Sequence, residues 1–373
     1  MSIFRDARVR SIAIQVLLVG AVLALVLLLV QSTAANLRLR GVPIGFDFLG
    51  LPSRFVISES LLRYRPQDTY GWALVVGVVN TLFVSALVAV FSSILGLIVG
   101  IGRLSSNPLV SGTCRVWVEV ARNTPPIVLL IFLYSLWWKI LPPVTEAIVV
   151  APGVYASMRG VFVPSVSLGL SLVGCALLGL ALILLAVRGF GTVQAGSRRL
   201  LLTASTISLA GALWLADARL DVHWPTFTGT NYRGGLEITP ELTTIVVGLT
   251  LYTTGFIAEI VRAGILSVGK GQWEAGRALG LRRGPILRLV VIPQMKRVIM
   301  PPLTSQYINI VKNSTLSIAV GYPDFLAVMG TVINKSSHAV EGVALILAVY
   351  LAINLTLSAL LNWYNRRAAL VER

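Results

Sequence analysis

Glu259 and Arg262 lie near the end of an apolar run, 241–265, where ionised groups are costly and default to functional candidates. Three residues apart, they share a helix face and can pair. Lys312 interrupts a weaker apolar run beside Asn313 and Ser314. Asn80 and Thr81 in one run, and Asn123 and Thr124 in another, add uncharged hydrogen-bonding groups. Two chemistries suit this set. Asn80, Thr124, Glu259, Arg262, Lys312, Asn313 and Ser314 could line a pathway for a small zwitterion, whose anionic end wants a cation and whose ammonium wants an anion. They could equally be glue between helices, with Glu259 and Arg262 bracing one end of a bundle. Polarity alone leaves both readings open.

A second stretch carries chemistry of another kind. From Arg262 to Arg297 eight basic residues accompany one acid, Glu274. Gly269 and Gly271 loosen the start of this hairpin, and Gln272 to Leu279 reads as a short helix. Glu274 is expected in its first turn, where the helix dipole favours an anion. Gly280 is placed to end it in a left-handed cap, and Pro293 restarts the chain. Such a helix is a rigid knob that can seat in a groove of a soluble partner. The plainer reading is a basic surface loop held by lipid headgroups.

Composition says what must position these groups. Of 373 residues, 56% are hydrophobic and only 12% charged, with a mean hydropathy of +0.83. Soluble domains carry roughly 25% charge, so this is an integral membrane protein. The net charge of +16 sits mostly in short loops between apolar runs, the pattern that fixes topology rather than one that binds nucleic acid. No Ser/His/Asp set, paired catalytic carboxylates or metal cluster stands out. Lys270 lies between two glycines, but Gly-Lys-Gly lacks the hydroxyl of a phosphate cradle. Cys114 and Cys175 have no pairing pattern, and His223 and His338 read as solvated loop residues.

A crossing helix needs about 20 apolar residues. Eight runs qualify: 12–30, 72–102, 116–138 (interrupted by Pro125-Pro126), 166–187, 200–216, 241–265, 298–320 and 342–364. The first is longer than a signal-peptide core and is expected to be retained. Gly96 and Gly100 form a small-xxx-small face for close helix packing. With the amino terminus inside, every inner connection is positive, including Arg103 and Arg115, Arg198 and Arg199, the 266–297 segment and the tail. The outer stretch 31–71 is basic against the rule, and Phe46, Phe48 and Phe55 suggest an interfacial segment there. The expected organisation is a first span and outer loop over 1–71, a core part over 72–142, an inserted pair of spans with outer loops over 143–240, and a second core part over 241–373.

The hairpin also carries a resemblance. Glu274-Ala275-Gly276, three residues, Gly280, nine residues and Val290-Val-Ile-Pro293 resemble the EAA signature of ABC importer permeases, with Gly276 for the second Ala. Tyr252–Arg262, Gly269–Ala275, Pro293–Arg297, Pro301-Pro-Leu303 with Gln306, Lys312–Leu316 and Arg122-Asn-Thr-Pro125 resemble the polar amino-acid group. The long insertion and Gly45-Phe-Asp-Phe-Leu49 are similar to the larger permease subunit of general L-amino-acid importers. The resemblance implies an all-α fold with about eight spans and a type I importer core. It implies a coupling helix in which Gln272, Glu274, Ala275, Gly280 and Leu281 meet an ATPase. It further implies a cytoplasmic ATPase dimer that binds ATP and magnesium in a separate chain, a second permease subunit forming a heterodimer, a periplasmic amino-acid-binding protein, and a bacterial inner-membrane location with both termini cytoplasmic. The rival readings are an ion-driven secondary carrier, a membrane-embedded enzyme and a pore with no energy partner. Inverted repeats with broken helices would mark the first.

Overall fold

A computed structural model describes residues 7–39, 45–167 and 221–368. The chain divides into two compact units, one of residues 1–133 with 244–373 and one of residues 134–243.

The first unit is helical. Helix α1 (Ala7–Leu39) contains the apolar stretch Ala13–Leu29. Helix α2 (Tyr70–Gly102) follows, capped by the Thr69 hydroxyl, which accepts from the Trp72 amide at 3.2 Å. Helices α3 (Pro108–Asn123) and α4 (Pro126–Ile140) bend by 105° at the intervening break. The expected continuous span 116–138 is therefore broken. Proline disfavours helical backbone in the residue before it, and Thr124 is extended at φ −90°, ψ 125°. Helix α5 (Pro240–Leu266) leads into the hairpin of α6 (Lys270–Ala278), α7 (Arg283–Ile286) and a π-helical turn, Leu287–Val291. Helix α8 (Ile292–Asn313) gives way to a 3-10 turn over Ser314–Ala319, so the expected 298–320 run is not one α-helix. Helices α9 (Phe325–Ser336) and α10 (Ala339–Ala368) close the unit.

Among the described residues three helices, α2, α5 and the first 25 residues of α10, are long and apolar enough to cross a bilayer, or four if α3 and α4 count as one span. The expectation of about eight is thus not reached in the described part. The expected run 200–216 lies outside the described residues, as does 166–187 apart from its first two residues, which form a strand.

Helix α5 is the hub. Of its apolar window 61% is buried, against 28% for α2 and 0% for α10. Its contacts run down its length: Gly248 faces Leu130 of α4, Gly255 faces Ala121 of α3, and Gly264 faces Ile299 of α8. The small face of α2 docks here too. A Cβ on Gly96 would lie 2.5 Å from Ile257, and one on Gly100 2.7 Å from the Ala258 carbonyl, so only glycine permits this approach.

The stretch before α2 folds inward. Phe48 is buried and stacks on His338 at 4.4 Å, and Phe55 packs on the same cluster with Tyr70, Phe325 and Met329. Only Phe46 of the three phenylalanines is largely exposed. This corrects the interfacial reading of Phe48 and Phe55 and the solvated reading of His338. The physical reason is a tertiary partner: α9, a helix absent from the sequence expectations, supplies the other half of the cluster.

The second unit departs from the all-α expectation. Strands β1 (Ile148–Ala151), β2 (Val154–Ser157), β3 (Gly160–Val163) and β8 (Leu236–Ile238) form an antiparallel sheet in that order. Strand β4 (Ser165–Ser167) pairs with β5 (Asp221–His223), and β6 (Thr226–Phe227) with β7 (Tyr232–Arg233). Tyr232 gathers Tyr155, Phe162 and Phe227 at centroid distances of 4.5, 4.9 and 5.4 Å. Burial raises the Glu237 carboxyl above its ordinary range, partly offset by Arg159. His223 is exposed but sits on a strand rather than in a loop.

Candidate functional site

Helix α6 presents one face and buries the other. Gly276 is buried against Ile286, while Trp273 and Leu281 pack on the cluster of Ile265, Val268, Val291 and Met295. Gln272, Glu274, Ala275, Arg277, Ala278 and Leu279 face outward, Leu279 at 78% exposure. The helix begins at Lys270, two residues earlier than expected. Glu274 therefore lies in the second turn, not the first, and the dipole argument made for it does not hold. Gly280 does end the helix in the left-handed region, at φ 73°. The Gly280 amide donates to the Arg277 carbonyl at 2.9 Å and the Leu281 amide to the Gly276 carbonyl at 3.1 Å. These two bonds make a Schellman cap, for which glycine is favoured because a Cβ is strained there. Gln272 is tied to α8 by the Gln294 amide, 3.2 Å away.

On α5, Glu259 is doubly held. One carboxylate oxygen accepts from Arg262 at 2.5 and 3.1 Å, and the other pairs with Arg103 at the C-terminal end of α2. The triad joins α2 to α5. It borders a cavity of about 350 Å³ lined also by Val118, Glu119, Arg122, Asn123 and Phe256. The Arg122 guanidinium lies 5.5 Å from the centre of the Phe256 ring. Thr124 caps α3 beside this cavity, donating to the Val120 carbonyl at 2.8 Å.

The other sequence candidates lie elsewhere. Asn80 is buried near the N-terminal end of α2, donating to the Glu59 and Pro323 carbonyls at 2.9 Å each. At about 1.5 Å per residue it is about 35 Å along α2 from Arg103. Thr81 accepts from the Phe325 amide at 3.0 Å. Asp324 is fully buried there: it caps α9 through the Ala327 amide at 2.9 Å and accepts from Tyr350 at 3.1 Å. Lys312 is exposed, Asn313 half-buried, and Ser314 buried with its hydroxyl on the Val311 carbonyl at 2.8 Å. Asn80 is thus far from Glu259, Arg262 and Thr124, and the candidates do not gather at one place.

Residues 92–370 match the family described as the inner membrane component of binding-protein-dependent transport systems. The chain belongs to this family. The permease is 42% identical over 99% of its length to a putative amino-acid ABC transporter permease protein, YhdX, of Escherichia coli K12, covering 97% of that protein. It is 38% identical, again over 99% of its length, to the general L-amino acid transport system permease protein AapQ of Rhizobium johnstonii, covering 94% of it. Its fold matches the crystal structure of an amino acid ABC transporter with histidines, at a TM-score of 0.50 and 21% identity, covering 80% of this chain and 95% of that one. The helical core is therefore that of a type I importer permease. A permease of this family is a transport subunit, not an enzyme, and works with an ATPase and a binding protein at the inner membrane.

Two residues of the permease's polar clusters escaped the sequence reading as partners. Arg103 was legible only as a topology-fixing charge, because its pairing with Glu259 spans 156 residues. Asp324 had a signal: an N-cap residue just before an apolar stretch marks a helix start.

Proposed function

We propose that this permease passes L-amino acids delivered by a binding protein, driven through α6 by an ATPase dimer on the cytoplasmic side. It pairs with a second, different permease subunit, and both its termini are cytoplasmic. In this reading Gln272, Glu274, Ala275, Gly280 and Leu281 form the coupling element. The observation that carries it is the exposed outer face of a Schellman-capped helix whose inner face is locked onto the ends of α5 and α8. A push on that face reaches α5 and α8 through the cluster in which Trp273 and Leu281 pack with Ile265, Met295 and Ile299. The cargo reading rests on the named relatives, which align along the whole chain. Residues 143–240 form an insertion in the permease core.

Asn80, Lys312, Asn313 and Ser314 stand apart from the cavity beside Glu259. Glu259 and Arg262 serve as the brace between α2 and α5, since the carboxylate is already satisfied by two guanidinium groups. The test is uptake of radiolabelled L-amino acids in proteoliposomes holding the assembled importer. Gly280→Val and Glu274→Lys should each lower uptake at least tenfold while the protein still inserts. Wild-type uptake in both would sink the coupling assignment.

A further inference from the structure

Arg54, Arg63 and Arg65 stand in the stretch that is basic against the positive-inside rule, and the coupling role of α6 leaves them unused. Over 61–69 exposure alternates residue by residue. Leu61, Arg63, Arg65, Gln67 and Thr69 are exposed, while Leu62, Tyr64, Pro66 and Asp68 are half-buried. An extended chain sends every second side chain to one side, so Leu61, Arg63 and Arg65 share an outer edge. The Arg54 amide donates to the Pro66 carbonyl at 2.8 Å, so Arg54 lies on the neighbouring segment beside Arg65. Val56 and Leu61 add bare aliphatic surface, at 77% and 54% exposure. We infer that this edge binds the headgroup of an anionic phospholipid, with the guanidinium groups on the phosphate and Val56 and Leu61 against the acyl boundary.

Charge, rigidity and height in the membrane favour this occupant. Among the described residues none of the three guanidinium groups has an ion pair or a hydrogen bond. The nearby acid, Asp68, accepts from the Arg65 amide at 2.7 Å and is thereby spent on backbone. Arginine matches a phosphate by paired N–H bonds. The edge is also pre-built. The Ser53 and Tyr64 hydroxyls lie 2.6 Å apart, Tyr64 donates to the Phe55 carbonyl at 3.0 Å, and the Ser53 amide to the Asp68 carbonyl at 2.8 Å. Binding therefore orders no loop. Arg54 is held at φ 54°, uncommon for such a residue, and strain at a side chain that bonds nothing marks a functional candidate. Height is set by Trp72 in the first turn of α2, 40% exposed, whose indole N–H donates to the Arg63 carbonyl at 3.1 Å. Tryptophan at the end of a span sits at headgroup level, and this bond ties Arg63 to it. At the other end of α2, Arg103 pairs with Glu259 near the end of α5 that leads into α6. The edge thus lies on the side away from α6, and with α6 cytoplasmic it meets the outer leaflet. Only the choice of leaflet rests on the coupling reading.

The test uses the assembled permease–ATPase complex in phosphatidylcholine nanodiscs carrying phosphatidylglycerol with a photo-reactive headgroup. Mass spectrometry quantifies labelled peptides over 51–72, with those of the basic 270–297 hairpin as internal reference. The wild-type edge should be labelled, and a phosphatidylcholine analogue with the same reactive group should label it several-fold less. Arg54→Gln, Arg63→Gln and Arg65→Gln should each lower labelling about fivefold, the weight of one arginine at an anionic surface, with the hairpin unchanged. Inorganic phosphate at matched ionic strength should leave labelling intact. Co-purification of the ATPase checks assembly of each variant. Equal labelling by the two lipids overturns the inference, as does unchanged labelling in all three Gln variants. Competition by inorganic phosphate overturns a lipid as the source. An unlabelled edge whose arginines are shielded from trypsin by added binding protein overturns it in favour of a protein partner. None of these readouts uses amino-acid uptake, so failure here leaves the coupling reading untouched.

Discussion

The two ends of α2 carry two polar clusters built on opposite principles. At the N-terminal end Asn80, Thr81 and Asp324 are buried, with Tyr350 half-buried beside them, and are tied mainly by backbone-directed hydrogen bonds. At the C-terminal end Arg103, Glu259 and Arg262 keep side-chain exposures of 14, 26 and 31% beside an open cavity, and are tied by charge. The buried cluster holds four segments in register: the stretch before α2, α2 itself, the start of α9 and, through Tyr350, α10. The charged cluster holds two helix ends and leaves neighbouring charges available. Burial makes an unpaired polar group expensive, so the first cluster is made for stability. Solvent makes each ion pair weak and adjustable, so the second suits a place where helices must move.

Substitutions should separate the two ends. Asp324→Ala should have the largest effect, because it removes a helix cap and leaves the Tyr350 hydroxyl without its acceptor. The expected loss is about 3 kcal/mol, from about 1 for the cap and about 2 for the orphaned buried group. It is read as a lowered unfolding midpoint of the purified permease. Asn80→Ala should cost about 1–2 kcal/mol, since the freed Glu59 and Pro323 carbonyls lose one donor each. If limited proteolysis of the 45–69 segment is no faster in that variant, Asn80 is not the staple described. Glu259→Gln should cost only about 1 kcal/mol and should be the one substitution whose effect shrinks as salt rises. A salt-independent loss would make the triad as shielded from salt as a buried cluster and erase the contrast. Gly276→Ala should have the smallest effect, within about 0.5 kcal/mol. The added Cβ would lie 2.8 Å from Cγ1 of the buried Ile286, which must shift, and the helix's gain of about 1 kcal/mol in propensity offsets that cost. A large fall in stability would mean that Ile286 has no room to yield.

How much was legible follows from the range of the interactions. The α6 hairpin could be read because its determinants are local, a glycine at the cap and a proline past the end, although Glu274 was placed a turn too early. The small face of Gly96 and Gly100 was visible as a face, but not the helix it meets. The sheet over 148–163 was missed although its signals were present, β-branched residues and turns at Gly153 and Gly160. In so apolar a chain those residues blended into the flanks of the neighbouring runs. The 105° break was half-read: Pro125-Pro126 marked an interruption without giving the direction α3 takes.

By itself the sequence determined that this is a membrane protein, where its strongest apolar helices run, and that a basic hairpin with an EAA-like signature lies between two of them. Those properties rest on composition, period and neighbours a few residues apart. The tertiary structure alone decided which polar groups meet. Glu259 finds Arg103 across 156 residues and Asn80 finds Pro323 across 243. A residue's type sets what it can bond, but burial and the path of the chain choose the partner, and with it whether a charge is spent on structure or left for a ligand.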